Sequence, residues 1–171
     1  TSHSNMQSDF SIKNWNGYEF SNKLDLTNAI ESWIEDQDSA TETYGEINTW
    51  DVSQITDFSE LFKDKTSFNS DISNWNVSNG TDFSHMFCEV SEFDQDLSEW
   101  DVSNGTNFEF MFARASTFNQ DLSSWDVSSG TDFSDMFAHA TKFDQDLSNW
   151  DVSSGTDFSF MFQRASTFNQ D

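Results

Sequence analysis

The amino-acid sequence predicts an α/β solenoid, a right-handed coil of five strand–turn–helix repeats that are each 25 residues long. One tryptophan position and two phenylalanine positions recur at this interval without a register slip. Within each unit the apolar spacing changes from two residues to about 3.6, which indicates a strand followed by a helix. The recurring tryptophans are Trp50, Trp75, Trp100, Trp125 and Trp150.

The first half of each unit predicts a short strand. In the fourth repeat, Trp125 and Val127 share one face at the strand spacing of two, and Leu122 begins the run. The serine and glycine residues of segment 128–130 then end the strand. Strands of successive repeats are expected to pair in a parallel ladder about 4.8 Å apart.

The second half of each unit predicts a short helix. Thr131 is a favourable N-cap residue, and Asp132 stands in the first turn, where the helix dipole favours an acid. The apolar residues at helical spacing are Phe133, Met136, Phe137 and Ala140. Because one unit cannot bury this face alone, stacked copies are expected to form one continuous core.

The chain divides into two predicted regions. Residues 1–45 do not repeat, and within them residues 1–9 are polar and expected to be frayed. An amphipathic helix is predicted from Leu24 to about Trp33 or Ile34, with Leu26, Ala29, Ile30 and Trp33 on one face. We interpret residues 1–45 as an N-terminal cap on the first repeat. Residues 46–171 hold the repeats, and we expect this region to be truncated or to continue, because Asp171 falls in mid-unit.

Composition restricts the classes of partner. The formal net charge is -24 at pH 7, so nucleic acid and anionic membrane surfaces are not expected to bind. The sequence contains no apolar run long enough to insert into a membrane. Cationic partners, divalent ions or a saline environment are more compatible with this charge.

No constellation of catalytic residues is present, so the sequence predicts a protein that is not an enzyme. His85 and His139 do not recur, and neither has a second ligand at the spacing of a zinc site. The glycines occur singly as turn formers, and no serine stands in a nucleophile elbow. Cys88 is the single cysteine, and it is expected to act as a small, partly buried side chain.

Two surfaces are candidates for ligand binding. The first is a polar strip on the side of the predicted strands opposite tryptophan and valine. Its candidate residues are Asp51, Asn76, Asp101, Asp126, Asp151 and Glu99. The second is the outward position of the predicted helices, which changes from repeat to repeat. Phe110 and Phe160 occupy it and are the candidates for a contact surface.

Stacked carboxylates must be stabilised. Two unit charges about 5 Å apart repel by roughly 3 kcal/mol at an effective dielectric constant of 20. A column at the start of the predicted strands is expected to accept backbone N–H groups; it comprises Asp71, Asp96, Asp121 and Asp146. The polar strip offers no evident donors, so screening or weakly held cations are expected there. Calcium is the plausible ion at Asp101, Asp126 and Asp151, without a confident metal site.

The repeat also matches known sequence patterns. The run Leu97-x-x-Trp100-x-Val102-x-Asn104 fits the leucine-rich repeat consensus, with Trp in the second Leu place. In finer detail, residues 24 to 171 resemble the BspA-like leucine-rich repeat surface proteins, whose unit is similar to WDVSxVTxMxxMFxxAxxFNxDLS. The chain has the matching segments WDVS at 50–53 and FNQDLS at 118–123.

The chain departs from that family pattern at one position. Ile55 is the expected branched apolar residue, but the later repeats have glycine there, at Gly80, Gly105, Gly130 and Gly155. Either a looser core or a tighter turn would follow.

The resemblance implies an extracellular or cell-surface module for adhesion, or for binding a protein or glycan. The alternative is a structural protein whose copies assemble into a filament or surface coat. Ice binding through the regular Ser/Thr ladder is a weaker alternative, because charged aspartates interrupt that ladder. No cofactor is expected apart from weakly bound calcium.

Overall fold

The structure, a computed structural model, describes residues 17–170. Helix α1 spans Lys23–Glu35 and helix α2 spans Gln37–Tyr44, followed by a 3-10 helix at Ile47–Thr49. Residues 50–170 contain turns and isolated parallel bridges, with no β-strand, sheet or further helix. The predicted leucine-rich-repeat-like α/β solenoid of strand–turn–helix units is therefore wrong.

The segments predicted as strands are tight turns. In the fourth repeat, the N–H of Trp125 donates to the carbonyl of Leu122 at 3.1 Å, and the N–H of Gly130 donates to that of Val127 at 2.8 Å. Bonds between residues three apart bend the chain, so it cannot stay extended. Trp125 and Val127 are nevertheless both buried, as an alternating pattern requires.

The segments predicted as helices are turns that contain left-handed residues. The N–H of Met136 donates to the carbonyl of Phe133 at 3.2 Å, as in a helical turn. Asp135 and His139, however, have φ of 53° and 59°, which breaks a right-handed helix. Apolar side chains three and four residues apart therefore share an inward face here without forming a helix.

Successive repeats stack in parallel and in register. Four alternate N–H groups of one repeat donate to carbonyls of the next, and one threonine N–H donates in the opposite direction, from Thr106 to Thr81 at 2.9 Å. In the second repeat the four bonds are Phe83 to Asn107, His85 to Glu109, Phe87 to Met111 and Glu89 to Ala113, at 2.9, 2.8, 2.9 and 2.9 Å. The isolated bridges, such as Asp82 with Asn107, follow the same register.

The core inside the stack is a set of aromatic columns. The rings of Phe87, Phe112 and Phe137 stack with centroids 5.5 and 5.6 Å apart and nearly parallel planes. The indole N–H of Trp100 donates to the carbonyl of Ile72 in the preceding repeat at 3.1 Å. The buried indole N–H of each repeat tryptophan thus has a backbone hydrogen-bond acceptor, which a buried N–H group usually needs.

A polar ladder links the repeats at the surface. Asn119 N–H donates to the Asp94 carboxylate at 3.0 Å, and Asp144 N–H donates to Asn119 Oδ1 at 2.9 Å. The Gln145 side chain also donates to Asn119. Asparagine and aspartate alternate along this column, which runs Asn69, Asp94, Asn119, Asp144 and Asn169. Neighbouring positions therefore never both carry a charge.

Helices α1 and α2 lie against the first repeat. The predicted helix near Leu24 is confirmed, and its buried residues are Leu26, Ala29, Ile30 and Trp33. Trp33 meets Trp50 edge-on with ring centroids 6.0 Å apart. Helix α2 was not predicted, because it is polar and buries only Ala40. The predicted frayed residues 1–9 and the final Asp171 lie outside the described residues, and the cap at residues 1–45 stays an interpretation.

The repeat glycines allow a close ring contact. A Cβ atom at Gly130 would lie 2.3 Å from Cζ of Phe133 and 3.0 Å from the carbonyl oxygen of Val127. The phenylalanine ring thus fills the space of the missing side chain, and Phe133 is fully buried. Glycine therefore gives a tighter turn at this position, without loosening the core.

Candidate functional site

The polar strip consists of self-contained turns. Oδ1 of Asp126 accepts the N–H of Ser128 at 3.0 Å, and Oδ1 of Asp101 accepts that of Ser103 at 3.0 Å. The same contact occurs at Asp51, Asn76 and Asp151, at 2.9, 3.1 and 3.0 Å. The expectation that the strip lacks donors is therefore wrong. Hydrogen bonds from the side chain and backbone of Ser128 lower the pKa of Asp126.

The column that precedes the strip uses the same turn. Asp71, Asp96, Asp121 and Asp146 each accept the N–H of the serine two residues later, at 2.8 to 2.9 Å. This confirms the backbone donors that were expected there. Asp57, Asp82, Asp132 and Asp157 form a third, unexpected column with the same contact. The recurring Asp-x-Ser spacing was the signal for all three columns.

The remaining strip residues form no metal centre. Glu99 is exposed and borders a shallow depression together with Asn76 and Asp101. Within residues 17–170, no group of three or more histidine, cysteine, aspartate or glutamate side chains could hold a metal ion. Weak calcium binding at Asp101, Asp126 and Asp151 therefore stays a prediction.

A groove of about 330 Å³ crosses the repeats at the positions predicted as helices. We call it the variable groove. His85, Phe110 and Asp135 line its first wall, and the same column continues beyond the cavity to Glu60 and Phe160. Asp64, Glu89, Arg114 and His139 line its second wall, and the same column continues beyond the cavity to Arg164. Its floor is Lys63, Cys88, Ala113, Ala138 and Gln163, of which the three central residues are buried.

Left-handed backbone shapes both walls. All ten residues of the two wall columns have φ between 53° and 64°. This conformation is uncommon for residues other than glycine, asparagine and aspartate. It is held by the stack, because Phe110 N–H donates to Ser134 O at 2.9 Å and Arg114 N–H donates to Ala138 O at 2.7 Å. The walls are therefore fixed in place by the neighbouring repeat.

The groove is the part of the repeat that varies most in chemistry. The tryptophan, valine and three phenylalanine columns are identical in all five repeats. The first wall holds acidic, imidazole and aromatic side chains, and the second changes from acid to base. Another exposed column, which contains Glu99, also varies, but most of its members are small and polar.

The groove side chains contact one another across repeats. The Phe110 ring stacks on His85 with centroids 4.8 Å apart. Arg114 Nε lies 3.3 Å from a Glu89 carboxylate oxygen. Burial raises the pKa of the Cys88 thiol to about 11, so the thiol is protonated at neutral pH and is a poor nucleophile. Burial also raises the pKa of Asp135, and Asp157 and Asp132 add to that shift.

Of the two predicted contact residues, Phe110 lines the groove, and Phe160 lies in the same column one repeat beyond the lining residue Asp135. The exposed fraction of Phe160 is 64%, and Phe110 is half-buried beneath the groove opening. His85 and His139, which show no zinc-site spacing in the sequence, also line the groove. The groove itself was not predicted from the sequence. Its signal was the variation of three columns that lie close together in each repeat.

Comparison with known proteins gives a family without an assigned role. A model of the family described as "Mycoplasma protein of unknown function, DUF285" matches residues 28–137 and 106–171. The chain belongs to the DUF285 family. No curated protein and no solved structure matches this DUF285 chain. Within its described residues, none of the helices combines the length and apolar character needed to cross a membrane.

Proposed function

We propose that this DUF285 protein is a non-enzymatic binding module that holds an extended segment of a protein ligand in the variable groove. One observation carries the proposal: three adjacent columns vary while the stack beneath them repeats. A scaffold that repeats with little change presents each variable side chain at a fixed interval. Successive segments of a linear ligand could therefore each contact the variable side chains of one repeat.

The shape of the groove favours an extended peptide. The small floor residues Ala113 and Ala138 leave room for a peptide backbone. The walls combine Phe110 with the charged side chains of Arg114 and Asp135. Such a mixture can bind both apolar and polar ligand side chains.

The location of the module rests on resemblance. The BspA-like repeat proteins to which the sequence is similar are surface proteins, and this supports an extracellular or cell-surface adhesion role. A glycan ligand would also be compatible with such a location.

Self-assembly is a second candidate function, favoured by one surface. Val152 and Phe158 of the repeat 146–170 are 37% and 40% exposed, and Phe160 is 64% exposed. Apolar patches of this kind can mark contacts between copies. Sedimentation velocity at several concentrations tests this candidate. A mass that rises with concentration supports assembly, and a constant monomer mass removes it.

A peptide selection tests the proposed binding function. A random-peptide phage library is panned on the immobilised protein, and the selected peptides are then measured against two variants. Phe110→Asn combined with Arg114→Asn alters both walls, and asparagine tolerates left-handed backbone. Asp101→Asn combined with Asp126→Asn is the matched control, because it removes charge from the polar strip and keeps each Oδ1 acceptor.

We expect the selected peptides to bind the control like the original protein and to bind the groove variant at least tenfold more weakly. The folded content of both variants is checked by circular dichroism. Peptides that bind all three proteins equally, or that lose affinity only for the control, would overturn the proposed function.

A further inference from the structure

The two walls of the variable groove share a longer period. Phe110 and Phe160 stand two repeats apart in the column of the first wall, and Arg114 and Arg164 stand two repeats apart in that of the second. Between them lie Asp135 on the first wall and His139 on the second. The two columns therefore carry the same pair of side chains, one aromatic and one cationic, two repeats apart: Phe110 and Arg114 line the groove, and Phe160 and Arg164 follow one repeat beyond its lining residues Asp135 and His139.

The distance between the two pairs follows from the stacking. Successive repeats are joined by direct backbone hydrogen bonds in parallel register, for example from Arg114 N–H to Ala138 O and from His139 N–H to Gln163 O. Chains paired in this way lie about 4.8 Å apart. Two repeats therefore separate Arg114 from Arg164 by about 10 Å at the backbone.

The charge of the second wall differs from that of the protein. The chain has a net charge of -24 and only 7 lysine and arginine residues. Both of its arginines are in the column of this wall, with His139 between them. Arg114 bonds Glu89 through Nε, and its side chain is 57% exposed. A guanidinium has five N–H donors, so most of those of Arg114 can reach a ligand carboxylate.

The backbone conformation of the ligand can be derived from the same spacing. Side chains on one face of a β-strand recur about every 6.6 Å, which does not match an interval of about 10 Å. A polyproline II helix has three residues per turn and a rise of about 3.1 Å, so every third side chain recurs on one edge after about 9.3 Å. Proline-rich peptides in this conformation bind aromatic-lined grooves, and Phe110 and Phe160 supply the aromatic rings.

We infer that the groove binds a polyproline II peptide that carries an acidic side chain at every third residue. The carboxylates pair with Arg114 and Arg164, and the proline rings pack on Phe110 and Phe160. This inference rests on the proposed function and names the class of peptide. The general repulsion between the acidic protein and an acidic peptide is screened beyond about 8 Å at physiological ionic strength. Within that distance the groove acids Glu89 and Asp135 oppose the contacts with the two arginines, so the peptide must present its proline residues to them.

Three synthetic peptides test the inference by fluorescence anisotropy at 0.15 M salt, about physiological ionic strength. The probe is four repeats of Pro-Pro-Glu with a fluorescent label. A peptide of six Pro-Glu repeats keeps the conformation and places the acids on different edges. Four repeats of Pro-Pro-Lys reverse the charge. We expect the probe to bind at least tenfold more tightly than either control peptide.

Variants of the second wall give an independent measurement. Arg114→Asn and Arg164→Asn should each weaken the binding of the probe. The double variant should bind the probe no more tightly than it binds the control peptides. Arg114→Glu combined with Arg164→Glu should reverse the preference in favour of the lysine peptide. Equal binding of the probe and the Pro-Glu peptide, or probe binding that is unchanged in the double asparagine variant, would overturn the inference.

The two proposals fail in different ways. If phage-selected peptides bind the groove and the Pro-Pro-Glu probe does not, the polyproline inference is wrong and the binding function stands. If the affinity of the selected peptides is also unchanged by the substitutions in both walls, the proposed function is wrong as well. Circular dichroism and the fluorescence of the buried tryptophans show whether each variant has kept its fold.

Discussion

The third repeat, residues 96–120, and the last described repeat, residues 146–170, have closely similar sequences and different environments. Phe108 is fully buried, whereas its equivalent Phe158 is 40% exposed. Val102 and Val152 show the same difference, at 1% and 37%. The sequence of a repeat therefore determines which side chains point inward, and the next repeat in the stack determines how much of them is buried.

The largest expected difference is in the phenylalanine column. Phe108 stacks on Phe83 and on Phe133, with centroids 5.7 and 5.4 Å apart. Phe108→Ala should lower the free energy of unfolding by about 3–5 kcal/mol. Phe158→Ala should lower it by only about 1–2 kcal/mol, because folding removes less of the apolar area of Phe158 from water. Urea titration measures both, and equal losses would contradict the role of the neighbouring repeat.

A smaller difference is expected at the repeat glycines. A Cβ atom would lie 2.3 Å from Phe133 Cζ at Gly130 and 2.1 Å from Phe158 Cζ at Gly155. The Phe133 ring is packed between neighbours, whereas Phe158 can rotate towards solvent. Gly130→Ala should therefore cost about 2–3 kcal/mol of unfolding free energy and Gly155→Ala less than about 1 kcal/mol. Thermal unfolding of the two variants under one condition provides the measurement, and the reverse order would refute this explanation.

The acidic turns should behave alike in both repeats, because each lies within a single repeat. Hydrogen bonds from Ser98 and Ser148 lower the pKa of Asp96 and Asp146, respectively. A lowered folded-state pKa gives stability that is present above the unfolded-state pKa and lost as pH falls through the folded-state value. NMR titration should show both carboxyls titrating below the usual aspartate range of about 3.9. A normal pKa for Asp146 alone would show that this turn also depends on a neighbour.

Calcium should have the smallest effect. If the carboxylates of Asp101, Asp126 and Asp151 hold weak calcium, millimolar CaCl2 should raise the melting temperature more than NaCl at matched ionic strength. The shift should be small, because each carboxylate already accepts a serine N–H at 3.0 Å. Asp126→Asn is the matched variant, since it keeps the turn and removes the charge. Identical melting in the two salts would eliminate calcium binding.

The sequence predicted the register and the buried face, and it did not predict the local backbone. Trp100, Val102 and Phe108 are buried as their spacing indicated. The same spacing of three and four residues occurs in a helix and in successive turns, so periodicity could not separate the two. Hydrogen bonds to the next repeat decide the outcome, and they are contacts that a single unit does not contain.

The candidate site was predicted in part. Phe110 and Phe160 were identified by their variation and apolar character; Phe110 lines the groove, and Phe160 continues the same column beyond it. The groove could not be derived, because nothing in a phenylalanine or arginine side chain indicates a left-handed backbone at Phe110 and Arg114. The donors for Asp126 were missed although the Asp-x-Ser spacing was present. Backbone donors to an aspartate were expected only at the start of the predicted strands.

The alternating ladder of asparagine and aspartate has a consequence for how such genes can change in length. Deleting the 25-residue unit that contains Asn119 would bring Asp94 and Asp144 into adjacent positions, with two carboxylates about 5 Å apart. Gain or loss of two units at once keeps the alternation, and it also keeps Phe110 and Phe160 in phase along their column. A change in length by steps of 50 residues therefore preserves both patterns, whereas a change by 25 residues breaks them.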